Sequence, residues 1–370
     1  MIVTAQLQLL PTKDDVVKLE ATMRAFNAAA DWLAGEAFAL KSANKIAIQK
    51  THYARLRLDF GLSAQMAVRC IAEVCSAYKR DKGIRPHFRP FAAIPYDERI
   101  ASWKSLDRIS LLTIEGRILV PYVMGTYQRE RFTAAKGQCD LVRRKDGKWF
   151  LLVTVDLPDK TRLPATDFIG VDFGVVNIAT TSDGRQHSGD DIETCRKRFS
   201  RLRRSLQQKA SAQIKEGIRP KNVRRKLKAN ASREARFRRD VNHCISKQLV
   251  AIAKDSGRGL AGEDLTYIRD RTRFRKQQRA KMSGWAFFQL RTFLTYKAIL
   301  AGVDLRIVDP RGTSRTCNPC GYEAKSNRKS QAEFVCGQCG HIANADVNAA
   351  RNIRSRAVVM LPIVSEACAA

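Results

Sequence analysis

Acidic side chains are scarce in this chain of 370 residues: 36 Asp and Glu stand against 67 Lys and Arg, for a formal net charge of +31. A fold so charged repels itself unless a polyanion neutralises it, which points to nucleic acid ahead of an anionic membrane surface. Long hydrophobic runs are missing too. No stretch of eighteen apolar residues occurs, which excludes a membrane-spanning helix of the usual kind. The opening MIVTAQLQLLPTKDD lacks a basic start followed by a long apolar stretch, so the expectation is a soluble, cytoplasmic, nucleoid-associated protein of a prokaryote. The ten cysteines form no disulfide framework: six are scattered through apparent helices and strands, which fits a reducing compartment. Cys70 and Cys75, inside AVRCIAEVCSAY, read as buried free thiols.

The other four cysteines are ordered by spacing. Cys317 and Cys320 are two residues apart, fifteen residues follow, and Cys336 and Cys339 repeat the two-residue gap. Two such knuckles suit tetrahedral zinc, because each short turn aims two thiolates at one point and the second pair closes the shell. Gly321, Gly337 and Gly340 flank the knuckles, where tight turns want glycine. Four protein ligands leave no open position, so one zinc would be structural; the alternative is four cysteines in an ordinary core. His341 follows the last knuckle and reads as a surface histidine or one lying beside the ligands.

Along the chain, MIVTAQLQLL alternates like a strand and Pro11 ends it. From Asp14 to about Lys82 apolar residues recur at helical intervals, predicting three or four helices. Between Ile94 and Leu163 short runs such as ISLLTI, GRILVPYV, CDLVRR and KWFLLVTVDL predict an antiparallel sheet or small barrel, to which the first strand is expected to belong. FIGVDFGVVNIATTSDG predicts two further strands. From Arg196 to Arg239 basic residues crowd helical stretches with only Glu216 and Glu234 against them. Leucines and phenylalanines recur among those charges, which favours amphipathic helices with a phosphate-facing side over a merely solvated run. The fold class is thus α+β and multidomain.

Three carboxylates stand at the ends of three elements. Asp172 stands near the end of the apolar strand FIGVDF, GLAGEDL puts Glu263 at the end of a weaker apolar run, and Asp346 opens the helix-like NADVNAARNIRSR. A carboxylate at the tip of an apolar strand is costly unless it is paired or binds a cation. Three together would suit magnesium, a hard ion that takes oxygen ligands and leaves room for phosphate. Singly, each has another explanation: Asp172 as a turn cap, Asp264 in place of Glu263, Asp346 as a helix cap. The order strand acid, basic helices, strand acid, amphipathic helix, strand, helix acid is that of a ribonuclease H-like fold.

With GVDFGVVNIAT, GEDLTYIRDRTRFRK, GWAFFQLRTFLTYKAILAG, VDPRGTSRTCNPCG, FVCGQCGH and NADVNAARNI in this order, the chain resembles the TnpB family of transposon-encoded RNA-guided DNA nucleases, akin to miniature type V CRISPR effectors. The match runs from Phe168 to about Arg356; the first half agrees in architecture and length. The resemblance implies that Asp172, Glu263 and Asp346 are the acids of a split RuvC nuclease site holding two magnesium ions, or manganese. It further implies a wedge strand over 1–12, a helical recognition lobe over 13–93, a wedge β-domain over 94–165, a RuvC-like domain over 166–310 and a target-binding zinc ribbon over 311–341. A final RuvC-like helix over 342–356 and a tail over 357–370, disordered or locally packed, complete the order. The implied partners are a guide RNA with a structured scaffold and a double-stranded DNA target, and the implied activity is metal-dependent cleavage beside a short flanking motif. One departure stands out: Ala261 and Gly262 precede Glu263 where the family carries aliphatic residues.

Two other functions fit parts of the pattern, namely a guided DNA-binding protein that has lost cutting and an autonomous transposase. The first predicts a broken acid triad and the second an end-recognition helix-turn-helix; neither mark is present in the sequence. Candidates for nucleic-acid contact are Tyr53, Arg55, Arg69, Lys79, Arg198, Arg201, Arg204, Arg225 and Arg315, each of which an ordinary solvated surface also explains. His52, Arg57 and Gln65 fall in the same class. Trp285, Phe287, Phe288, Leu290, Phe293 and Leu294 recur at helical intervals and read as a core stripe, with base stacking as the alternative.

Overall fold

The computed structural model describes residues 2–360 apart from 106, 133–137, 159, 163 and 266–286. The chain forms two units, residues 1–158 and 159–370. Among the described residues no helix is long and apolar enough to cross a membrane.

In the first unit, strand β1 (Ile2–Leu9) leads into helices α1 (Lys13–Ala39), α2 (Lys45–Leu58) and α3 (Ala64–Arg80). Thr12 and Asp15 exchange side-chain to backbone hydrogen bonds in a capping box at the start of α1, which contributes about 1 kcal/mol. There are three helices here, and residues 81–93 return to the sheet without helix, held by Asn27 on α1, whose amide donates to the carbonyl of Ala92 at 3.0 Å. Six strands follow: β2 (Ile94–Tyr96), β3 (Ala101–Trp103), β4 (Arg108–Thr113), β5 (Gly116–Val123), then a short helix α4 (Thr126–Arg131), β6 (Cys139–Arg143) and β7 (Trp149–Asp156). They make an antiparallel sheet in the order β2-β6-β7-β1-β5-β4-β3. The edge strands β2 and β3 are joined by residues 97–100 alone, so the sheet must curl until its edges nearly meet. β1 lies inside it, and its alternate residues Ala5, Leu7 and Leu9 enter one core with Leu19, Met23, Phe26 and Leu33 of α1. Cys70 and Cys75 are buried in the same core.

The second unit is built on a five-stranded sheet, in the order β10-β9-β8-β11-β12. Its strands are β8 (Phe168–Asp172), β9 (Asn177–Thr181), β10 (Gln186–Ser188), β11 (Gly259–Glu263) and β12 (Leu305–Val308). β8 and β9 are antiparallel, whereas β8, β11 and β12 run parallel. Parallel neighbours need crossovers. The first is α5 (Asp190–Lys215), α6 (Lys221–Asn230) and α7 (Arg233–Asp255), and the second includes α8 (Phe287–Ala301). A two-stranded hairpin of β13 (Glu333–Val335) and β14 (Ile342–Asn344) precedes the last helix, α9 (Ala345–Val359).

The stripe expected on α8 is corrected in part. Leu290, Leu294 and Ala298, at four-residue spacing, enter the core, Phe287 packs against it, and Phe293 stacks on His243 of α7 at 3.8 Å. Phe288, one residue round the helix from Phe287, is 77% exposed, and Trp285 lies outside the described residues. Residues 361–370 of the tail also lie outside them.

Helix α9 lies on β8 at closer than side-chain distance. A Cβ added at Gly170 would sit 1.9 Å from the carbonyl oxygen of Ala350 and 2.6 Å from the amide nitrogen of Arg354. Backbone cannot give way as a side chain can, so Gly170→Ala should destabilise the fold by about 3 kcal/mol, the upper part of the range for overpacking. Urea unfolding of wild type and variant measures the difference; equal midpoints would show that α9 has room to move.

Candidate active site and zinc centre

The carboxylates come together because of strand register. Val171 of β8 is paired with Gly262 of β11 in the parallel ladder, so the next residues, Asp172 and Glu263, leave the sheet side by side at its carboxyl edge. Open sheets of parallel strands gather ligands at this edge. Asp346 arrives from the first turn of α9, where the side chain of Asn344 caps the helix by accepting from the amides of Asp346 at 3.0 Å and Val347 at 3.1 Å. Glu263 and Asp346 are 6% and 2% exposed, and Asp172 is half-buried. The weak-looking residues before Glu263 have a packing reason. Ala261 lies opposite Gly170, and a Cβ at Gly262 would meet the Phe173 ring at 3.0 Å, so small residues accommodate a large neighbour.

Burial, then the nearby Glu263 and Asp346 carboxylates, push the Asp172 carboxyl well above its ordinary range, against the pull of the Arg328 guanidinium. Burial also raises Glu263, opposed by a hydrogen bond from the Thr313 hydroxyl and by the charge of Arg356. Asp346 is the best-partnered of the three: Arg328 donates to Oδ1 at 2.9 Å and the Asn177 amide to Oδ2 at 3.2 Å. Asp264, the alternative to Glu263, turns instead to Arg291 at 2.5 Å and keeps a 46% exposed side chain. An oxygen-only donor set whose members repel one another is what a hard divalent cation relieves. The carboxylates are more loosely grouped than the sulfurs, since among the described residues only the four cysteines bring their ligand atoms within 4.8 Å of one another.

Arg328, Asn177 and Thr313 are the partners that sequence reasoning missed. Thr313 and Asn177 carried a signal, Thr313 standing two residues from Arg315 in GTSRTC and Asn177 standing in GVDFGVVNIAT.

In the zinc ribbon, the Sγ atoms of Cys317 and Cys339 are 3.7 Å apart, and those of Cys320 and Cys336 are 3.6 Å apart. A zinc–sulfur bond of about 2.3 Å gives a tetrahedron with an edge of about 3.8 Å. The sulfurs therefore already span a zinc coordination shell. The amides of Cys339 and Gln338 hold the Cys336 thiol down to about 6, so a thiolate is ready for the metal. Each knuckle closes on a left-handed glycine, Gly321 at φ +75° and Gly340 at φ +70°. The buried Asn327 ties the knuckles together, donating to the carbonyls of Arg315 and Tyr322 and accepting from the amide of Gly337 at 3.0 Å.

The residues read as nucleic-acid contacts are spread over both units. In the first, Lys79 and Arg55 are exposed, Arg55 lying over the Trp32 ring, while Tyr53 packs against the core and Arg69 faces Asp97 at 3.9 Å. In the second, Arg198 and Arg201 and Arg204 on α5, Arg225 on α6, and Arg315 in the ribbon stem are all exposed. Buried apolar anchors in α5 and α6 are few, Ile192, Leu206 and Val223, so these helices offer mostly basic surface.

Residues 151–258 match the family described as "Probable transposase" (OrfB_IS605), and residues 287–353 match the "Cas12f1-like, TNB domain". The chain is similar to proteins named TnpB-like. A TnpB-like protein of Methanocaldococcus jannaschii is 31% identical over 156 residues, 42% of this chain and 53% of that protein. The CRISPR-associated endodeoxyribonuclease Cas12f1 of Sulfoacidibacillus thermotolerans is 34% identical over 219 residues, 56% of this chain and 50% of the relative. The chain thus spans about half the length of these curated relatives. Its fold is similar to that of Cas12f1 in a complex with sgRNA and target DNA, with a TM-score of 0.58 at 16% identity over 91% of this chain and 82% of that one.

Below the ordinary value of 3.8, folded and unfolded chains both carry the Asp172 proton and the group contributes nothing to stability. Above it the unfolded chain ionises first, so the metal-free fold loses stability until pH passes the elevated native value. Asp172→Asn removes that loss and should raise the metal-free melting temperature by a few degrees at pH 7, with the gain vanishing near pH 4. A melting temperature unchanged across that range would count against the strained carboxyl. Cys317→Ser should lower bound zinc from one ion per chain to none, because structural zinc supplies on the order of 10 kcal/mol to such modules; elemental analysis of the purified variant reads this, and full zinc content would remove Cys317 from the ligand set.

Proposed function

We propose that the chain is an RNA-guided DNA endonuclease associated with a transposon, cutting a double-stranded target beside a short flanking motif. The observation that carries this reading is the convergence of Asp172, Glu263 and Asp346 at the carboxyl edge of parallel strands, in a chain of net charge +31. On this reading the second unit is a RuvC-like, ribonuclease H-like nuclease over 166–310 and 342–356, and the 311–341 ribbon handles the target. Residues 13–93 form the recognition lobe, while 1–12 and 94–165 form the wedge. Relatives named as Cas12f1 endodeoxyribonucleases and a Cas12f1 fold captured with sgRNA and target DNA support the choice of substrate and partner.

Asp172, Glu263 and Asp346 would hold two magnesium or manganese ions, and the four cysteines one structural zinc. Bound divalent ions in such sites supply an activated water and neutralise charge on the leaving oxygen. Asp172, which has both other acids near it, would help to hold either ion. Glu263 and Asp346 approach it from opposite elements, and their protein partners keep each oxygen aimed. Arg328 lies beside Asp346, its guanidinium held there by further bonds to the carbonyls of Ser330 and Gln331, and it would neutralise part of the negative charge that a phosphate brings to the acids. Base pairing would read the target while the protein reads the flank. Exposed arginines of α5 and α6 would follow phosphates of the guide or of the heteroduplex.

The test is to purify the protein with its co-expressed RNA, sequence that RNA, and challenge the complex with a matching DNA library carrying randomised flanks, with and without magnesium. Targets bearing one flanking motif should disappear only with metal. Asp172→Ala and Glu263→Ala should reduce cutting to background and leave guided binding intact. Cutting retained by both variants would overturn the acid assignment, and strand-transfer products formed without RNA would favour a transposase.

A further inference from the structure

The acids are tied to the zinc ribbon by one chain of buried polar groups. Thr313, 3% exposed, lies in the turn between β12 and the first knuckle, and its hydroxyl meets Oε1 of Glu263. Two asparagines one helical turn apart on α9 hold that turn in place. Asn352 donates to the carbonyls of Thr313 at 2.8 Å and Thr316 at 2.7 Å. Asn348 donates to the Thr316 carbonyl at 2.8 Å and accepts from the amide of Asn318, inside the first knuckle, at 3.1 Å. The Asn318 side chain closes the loop on Asn352 at 3.2 Å. Asn348 is fully buried and Asn352 is 7% exposed, so these bonds cannot be exchanged for water without unpacking α9.

We infer that Thr313 is a positioning residue for Glu263, setting the direction in which that carboxylate presents its free oxygen, with Asn348 and Asn352 holding Thr313 by its backbone. The inference rests on the reading of Glu263 as a divalent-cation ligand. A threonine hydroxyl carries one proton, and here two acceptors compete for it, Glu263 Oε1 and the Pro310 carbonyl at 3.0 Å. An ionised carboxylate is the stronger acceptor, so the proton goes to Glu263 and leaves Oε2 for a cation. Without the hydroxyl the carboxylate keeps its charge and its burial but loses the bond that fixes its rotation. Partners of this kind alter metal affinity by about 10-fold to 100-fold.

The experiment titrates Mn2+ into the zinc-loaded 370-residue chain freed of RNA, following free Mn2+ by electron paramagnetic resonance, with Asp172→Ala as the background. Thr313→Val keeps the shape and removes the hydroxyl; it should weaken site-specific Mn2+ binding about tenfold. Thr313→Ser keeps the hydroxyl and should bind within about twofold of wild type, with one zinc per chain in every variant. Should Thr313→Val lose zinc or its cooperative melt, Thr313→Ala serves as the hydroxyl-free variant in the same comparison. Wild-type Mn2+ affinity in the hydroxyl-free variant, or equal weakening in Thr313→Ser, overturns the positioning role. Wild type and Asp172→Ala binding Mn2+ alike would instead remove the acid site itself, an outcome separate from the first two.

Discussion

The contact on which the second unit depends is between two backbones. At Gly170 the strand offers no side chain, and the carbonyl of Ala350 on α9 occupies the space a Cβ would need. A helix seated on backbone has little freedom to slide, because no rotamer can absorb the movement. Asp172 stands two residues beyond Gly170 on the strand, and Asp346 stands one helical turn before Ala350. The distance between two of the three acids is therefore set by the seat of the helix. Arg354, one turn further on, grips Asp167 at the strand's start with two bonds of 2.8 and 2.9 Å, pinning the other end of the same contact.

Collecting buried carboxylates is unfavourable, and the surroundings offset the cost unevenly. Asp346 has both oxygens occupied and Glu263 has one, whereas Asp172 is raised by burial and by its two neighbours with only distant help from Arg328. Burial and mutual repulsion therefore make such a cluster costly to the fold. The zinc ribbon meets the same problem differently. Its own core is small, with Phe334 and Ala345 packed beside Cys317 and Cys336, so a tetrahedral sulfur cluster takes the place of the apolar mass that so short a segment lacks. Asparagines 318, 348 and 352 then carry the geometry of that cluster into α9.

The first unit obeys a different constraint. A sheet whose two edge strands are joined by four residues has to curl, and the helices inserted after β1 cover the core that results. Arg24 and Arg143 lie over the ring of Phe91 at 4.6 and 4.7 Å, so part of the excess positive charge is held against aromatic faces rather than left to repel in solvent.

Much of this was legible in the chain itself. The cysteine spacing names its metal geometry because a two-residue gap admits few backbone conformations, and strands such as FIGVDF and KWFLLVTVDL declare themselves by composition. The three acids stood out because a carboxylate at the end of an apolar run is rare without cause. Their partners were not legible. Arg328 and Asn177 lie 18 and 169 residues from Asp346, and Thr313 lies 50 from Glu263, separations at which no local pattern links donor to acceptor. The exposed Phe288 escaped for a similar reason, since helical period alone cannot say which side of α8 meets the sheet. By itself the sequence determined element types, the zinc knuckles and the strong basic balance, all of which follow from neighbours along the chain. Only the tertiary structure decided that Glu263 and not Asp264 faces Asp172 and how closely α9 approaches β8, because strand register and backbone packing are set by contacts between residues far apart in sequence.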